Sequence, residues 1–263
     1  MSRRRLYCKC LTASGLCGTW RNYSTCDQTG RILTRQLFDL AGADPAVRFS
    51  PFCWRTKMAL RHKGLGFDAV PWRFVEKDRI APSGQGRVPT LVDGERWVHD
   101  SWDIAIYLDR TYPDSPKLMR DDRDRAAAQF CAKWAEFTLH FPIVRLCILD
   151  IYAVLDAENQ AYFRKSREER FGQTLEEFGA EPGKARALLL SALQPMEQTL
   201  KEARFLGGDT AGYGDYAVFG SLMWPYVVLR SEFLDPKTAV GAWFERMLDL
   251  FDGYARSAKT ARD

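Results

Sequence analysis

The sequence predicts a small α/β domain over residues 35–113, a linker at 114–121 and an all-helical domain over 122–263. Two observations carry that prediction. Between 36 and 112 the apolar pattern runs strand, helix, strand, irregular stretch, strand, strand, helix, whereas every patterned segment beyond 122 has helical spacing. A third observation sets the outer limit. Residues 1–34 have no amphipathic period and few core-forming side chains, so they are expected to lie outside the fold as an appendage, or as sequence read from a start placed too early.

The elements follow in order. Gln36–Leu40 is short and apolar enough for a first strand, and Gly42 and Pro45 punctuate the loop after it. Ser50-Pro51 is a helix start, serine being a favoured N-cap and proline fitting the first turn; Gly64 ends that helix after Lys63. Residues 67–74 alternate as a strand, and Pro71 places it at a sheet edge. Two short strands, 88–92 and 96–98, flank a hairpin turn at Asp93-Gly94. Asp100-Ser101 opens a helix that stops near Tyr112-Pro113. The expected later helices span 122–140, 142–155, 158–178, 183–204, 213–230 and 237–256, with Pro142, Gly179, Pro182, Gly207-Gly208 and Pro236 among the breakers.

Composition excludes several classes. The net charge of +4 conceals a split: residues 1–35 carry +6, which leaves −2 for the rest and argues against a nucleic-acid surface. No apolar run approaches the roughly 20 residues of a membrane helix. Four of the seven cysteines fall within the first 26 residues; an odd total without a secretory apolar stretch suits a reducing cytoplasm. The cysteines at 8, 10, 17 and 26 lack the paired spacing of a zinc knuckle, so no metal is expected, and the segment's Arg/Ser richness leaves a transit peptide as another reading.

The chemistry concentrates in three stretches. In Phe49-Ser50-Pro51-Phe52-Cys53 a hydroxyl stands where a Cys-x-x-Cys redox motif has its attacking sulfur. A helix N-terminus favours negative charge, so Ser50 reads as a simple cap or as a hydrogen-bond donor to a thiolate brought by another molecule. Cys53 reads as a small buried hydrophobe or as a redox thiol. Arg87-Val88-Pro89 starts a strand at a proline: an ordinary loop-to-strand junction, or a cis bond that turns the Val88 main chain outward to pair with an extended ligand. Asp100-Ser101 reads as a plain cap or as a site for the carboxylate and ammonium of a peptide-like ligand.

Together, Ser50-Pro51-Phe52-Cys53-x-Arg55-Thr56-Lys57, Arg87-Val88-Pro89 and Asp100-Ser101-x-x-Ile104-x-x-Tyr107-Leu108 resemble the glutathione transferase superfamily, over about residues 35–257. Within it, SPFCWRTKMALRHKG, RVPTLVDGERWVHDSWDIAIYLDRTYPD and FLGGDTAGYGDY are most similar to the bacterial β-etherase branch, whose members cleave lignin-type aryl ethers, and to related fungal transferases. The resemblance implies a thioredoxin-like domain that binds glutathione as co-substrate, and a helical domain that supplies most of a hydrophobic substrate pocket. It implies that Ser50 donates to the glutathione sulfur, Val88 pairs with the cysteinyl backbone beside Pro89, Asp100 and Ser101 hold the γ-glutamyl end, and Arg87 approaches the glycyl carboxylate. A cytoplasmic homodimer acting on a hydrophobic or aromatic electrophile is the expected assembly and activity. Trp134, Phe137, Phe141, Tyr152, Trp224 and Tyr226 are the candidate pocket walls. A reductase working through Cys53, or a non-catalytic binding protein of the same fold, are the rival expectations. One departure stands out: Gly212 occupies the cap position before Asp215, where the superfamily usually has Ser, Thr or Asn.

Overall fold

A computed structural model describes residues 35–263, preceded by the backbone of two paired two-residue strands, β1 (Thr25–Cys26) and β2 (Ile32–Leu33). The expectations for the remainder of 1–34, including Cys8, Cys10 and Cys17, lie outside the described residues, as does the Cys26 side chain. The first domain is a four-stranded sheet in the order β4-β3-β5-β6, built from β3 (Arg35–Leu40), β4 (Phe67–Trp72), β5 (Thr90–Asp93) and β6 (Arg96–His99). Helix α1 (Pro51–His62) connects β3 to its parallel neighbour β4; β5 and β6 are antiparallel, and α2 (Ser101–Thr111) follows. This is the thioredoxin-like arrangement, with β4 at an edge as Pro71 predicted.

The local chemistry explains the boundaries. Ser50 caps α1, and Gly64 takes φ +65° just past its end, a conformation that costs glycine nothing. Strand β4 stops two residues earlier than its pattern suggested, because the Glu76 side chain accepts from the Arg73 N–H (3.1 Å) and pulls the chain into a turn. The hairpin turns at Gly94-Glu95, one residue later than expected, since Asp93 still pairs with Arg96 and Gly94 takes the positive φ.

The second domain is helical throughout: α3 (Asp122–Trp134), α4 (His140–Ala153), α5 (Ala157–Phe171), α6 (Leu175–Phe178), α7 (Pro182–Ala192), α8 (Gln194–Thr199), α9 (Tyr213–Val228) and α10 (Ala239–Gly253). Pro142 does not break the chain as expected. It falls in the first turn of α4, after a π-helical turn at Ala135–Leu139 joins α3 to α4 without a loop. A proline lacks the N–H that a continuous helix would use and clashes with the preceding turn; a widened turn there relieves both constraints. The segment expected at 158–178 divides at Gly172, left-handed at φ +68°, and the Thr174–Glu177 capping box starts α6.

The two domains share one core. Helix α1 lies between the sheet and α9, so Pro51 and Cys53 through Leu60 are buried without interruption. A Cβ on Gly220 of α9 would lie 2.4 Å from the Pro51 carbonyl oxygen, so only glycine permits this approach. Among the described residues no helix is long and apolar enough to cross a membrane.

Candidate functional site

Register brings the three chemistry-bearing stretches to one end of the sheet. Strand β3 delivers the chain to Ser50 beside the start of antiparallel β5. Thr90 pairs with His99, so continuing that register two residues places Val88 across from Ser101.

Ser50 is 4% exposed, with an extended ψ of 123°. Its Oγ accepts from the Cys53 N–H at 3.2 Å. Among the described residues its hydroxyl donates to no oxygen or nitrogen acceptor; the Cys53 thiol is its neighbour. The Trp54 N–H donates to the Ser50 carbonyl (3.0 Å), and Pro51 has no N–H, so the Phe52 N–H is the unspent main-chain donor of this turn. No acidic side chain sits in the first turn to offset the helix dipole. The end of α1 therefore presents two donors to whatever anion comes beside it.

Val88 is joined to Pro89 by a cis peptide bond. The Gln85 side chain consumes the Arg87 main chain, its Oε1 accepting from the Arg87 N–H at 2.7 Å and its Nε2 donating to the Arg87 carbonyl. The Val88 N–H and carbonyl have no partner among the described residues. Asp100 holds φ +66°, an uncommon conformation for a residue other than glycine. Its Oδ1 accepts from the N–H of Trp102 (2.8 Å) and of Asp103 (3.4 Å), leaving Oδ2 without a partner among the described residues. Ser101 is buried; its carbonyl accepts from the Tyr213 hydroxyl (2.7 Å), while its own Oγ is unengaged among the described residues. Asp100 is thus both the cap of α2 and a carboxylate with one free oxygen.

Cys53 is closed off from solvent. It is fully buried with Sγ 3.8 Å from the Phe38 carbonyl, and burial, with Asp39 nearby, pushes its thiol well above the usual range. A protonated, inaccessible sulfur is a poor attacking group. Among the described residues no cluster of three or more metal-ligating side chains forms.

Sequence reasoning missed the polar seam between the domains. Arg55 is buried and donates to Glu136 (2.8 Å), to the Ala217 carbonyl (3.1 Å) and to Ser221 Oγ (3.3 Å). Ser221 also donates to the Ala217 carbonyl (3.1 Å), so His140 Nε2, 2.9 Å away, is the donor of its contact with Ser221. Burial pushes the His140 pKa down to about 3, which keeps the ring neutral. The His140 ring meets Phe52 edge-on (5.4 Å) and Trp224 edge-on (5.8 Å), which places both beside the start of α1. Arg55 was visible in its motif, but partners 81 and 166 residues away are not. Of the candidate pocket walls, Phe137 and Phe141 are exposed, whereas Trp134, Tyr152, Trp224 and Tyr226 pack against the core.

Residues 45–116 match the glutathione S-transferase N-terminal domain, and residues 126–254 match the glutathione S-transferase C-terminal domain. The chain belongs to the glutathione S-transferase superfamily. Among its relatives, glutathione S-transferase U28 of Arabidopsis thaliana is 26% identical over 183 residues, covering 68% of this chain and 70% of that protein. Glutathione S-transferase Z1 of the same plant is 38% identical over 77 residues, 27% of this chain and 35% of that one. Among solved structures, the glutathione S-transferase CsGST63524 of Ceriporiopsis subvermispora, in complex with glutathione, superposes with a TM-score of 0.70 at 24% identity, over 84% of this chain and 97% of that one. The glutathione transferase GSTFuA2 of Phanerochaete chrysosporium gives 0.67 at 25% identity, over 84% and 93%.

Proposed function

We propose that this protein binds glutathione, stabilises its thiolate at Ser50 and directs that sulfur at an electrophilic carbon of a hydrophobic or aromatic substrate. The observation that carries the reading is the Ser50 hydroxyl, whose proton goes to no oxygen or nitrogen acceptor among the described residues, at a helix start with no acidic residue in its first turn. Glutathione loses its thiol proton to solvent; Ser50 donates its hydroxyl hydrogen bond to the sulfur and the Phe52 N–H faces the same charge. The main-chain groups of Val88, beside Pro89, pair with the cysteinyl backbone. Asp100 Oδ2 takes the γ-glutamyl ammonium, Ser101 Oγ its carboxylate, and Arg87 lies toward the glycyl end. The sulfur then forms a bond to carbon as the leaving group departs with the bonding pair. Raising the thiolate fraction near neutral pH is what the protein adds to the nucleophile.

An ultraviolet titration of the bound thiol tests this. In the wild type it should ionise well below the free-thiol value of about 8.5, and in Ser50→Ala that depression should vanish. An unshifted bound thiol sinks the role of Ser50. Reductase chemistry through Cys53 is disfavoured by its burial, and Cys53→Ala is expected to keep full conjugating activity. The finer reading, cleavage of a β-aryl ether, rests on the motif resemblance; release of a fluorescent phenol from an aryl ether of that type decides it. A homodimer is part of the same reading and is checked by light scattering.

A further inference from the structure

Helix α5 belongs to the second domain in sequence but docks on the first. Asp156 before it pairs with Arg73 (3.3 Å), and its Asn159 accepts from the Val75 N–H (3.3 Å). Phe74 stacks on Tyr162 (5.8 Å) and leans on Phe163 (5.9 Å). This contact anchors α5 over the stretch that leads from β4 towards Arg87 and Val88.

The anchored helix brings cations without counter-ions. The Arg167 guanidinium lies 4.6 Å from the Phe163 ring centre and 5.1 Å from that of Phe74. Among the described residues its one hydrogen-bond partner is its neighbour Ser166 (2.9 Å). Arg164, one turn earlier, is by contrast paired with both Glu168 and Glu176. Lys77 runs its stem along Gly86, where a Cβ would meet its Cδ at 3.5 Å, and holds its ammonium 5.1 Å from the Tyr162 ring centre. None of Lys77, Arg87, Arg167 and Arg170 pairs with a carboxylate among the described residues. Burial lowers the Arg167 pKa, and the charges of Arg170 and Arg87 lower it further while Tyr162 opposes them. A guanidinium stays charged regardless, so what the surroundings lack is an anion.

The direction of the ligand supplies one. With the γ-glutamyl end at Asp100 and Ser101 and the cysteinyl backbone paired antiparallel to Val88, the next residue of the ligand faces the residues that precede Val88, namely Gly86 and Arg87. We propose that Arg167 closes over the glycyl carboxylate of glutathione together with Arg87, so that both domains hold the co-substrate. This rests on the glutathione reading above and adds to it a clamp from the helical domain.

Calorimetric titration with glutathione and with its glycyl ethyl ester, on wild type, Arg167→Gln and Arg167→Lys, tests the clamp. Arg167→Gln should weaken glutathione about tenfold or more, the loss of a charge-assisted pair, and leave ester affinity nearly unchanged. Arg167→Lys, which keeps stem and charge, should recover part of the loss. Equal weakening of both ligands would mean that Arg167 acts only by packing α5, and overturns the proposal. So does a variant that binds glutathione as the wild type does, including one whose KM rises only for an electrophile with its own carboxylate. Should Arg167→Gln melt early, Arg87→Gln on its exposed loop reads the same carboxylate, and equal loss for acid and ester overturns the shared site. A wild type that binds neither ligand removes the glutathione reading itself; a wild type that binds both equally removes only the clamp.

Discussion

Helices α1 and α9 lie against each other, yet their starts are opposites. At α9 the cap position is Gly212, and the work passes to Asp215, fully buried. Its Oδ1 accepts from the Leu206 N–H (2.8 Å) and Trp243 Nε1 (2.9 Å); its Oδ2 accepts from the N–H groups of Gly207 and Gly212, each at 3.1 Å. Every strong acceptor position there is taken by the protein. At α1 the cap spends one lone pair and keeps its proton, and the Phe52 N–H stays unspent. Similar backbone geometry thus spends its hydrogen bonds on the fold in one place and keeps some to offer in the other. The difference is the hydrogen-bonding capacity left over, which is how a site differs from a scaffold.

The comparison breaks first at Asp215. Asp215→Ala strands several buried donors, and urea denaturation should show a loss of about 3–5 kcal/mol, with glutathione affinity in the surviving folded fraction retained. Ser50→Ala should invert that pattern. Conjugation should fall about a hundredfold in kcat/KM, while stability falls by only about 1 kcal/mol for the lost cap. If Ser50→Ala unfolds the protein and leaves the kinetics of the folded part intact, the two helix starts do the same job.

Acid titration gives a smaller effect. Burial lowers the pKa of His140 to about 3 and lowers that of His62, whose ring accepts from Tyr216 Oη (2.7 Å) and donates to the Lys117 carbonyl (3.0 Å). Both are neutral in the fold and take up protons on unfolding. Their contribution to stability is present above the unfolded pKa of about 6.5 and is lost as pH falls through the window toward the folded values. Between about pH 6.5 and 5 the unfolding free energy should decline by up to about 1.4 kcal/mol per pH unit for His140, with His62 adding to the slope in the same direction, and His140→Gln should flatten it. An unchanged slope would mean that His140 is protonated in the folded protein. The smallest effect is a gain. A Cβ at Gly212 would touch only the Leu118 carbonyl oxygen at an ordinary 3.6 Å, so Gly212→Ser should add a few tenths of a kcal/mol.

Much of the first domain was legible. Ser50-Pro51, Gly64 and Pro71 each act within a few residues of themselves, so capping, termination and edge position can be read locally. Errors arose where a distant or softer term intervened: Glu76 ended β4 early, and a π-helical turn carried the chain past Pro142. The candidate site was legible as three motifs, but not as one place. Register brings Val88 across from Ser101, and the packing of α9 on α1 brings Ser221 to Arg55.

By itself, the sequence determined which groups have hydrogen bonds to offer, because residue type and helix position set donors and acceptors through local covalent geometry. Only the tertiary structure decided which offers are taken. It filled Asp215, sealed Cys53 and left Ser50, Val88 and Asp100 open, because partners more than a few residues apart meet only when the chain packs.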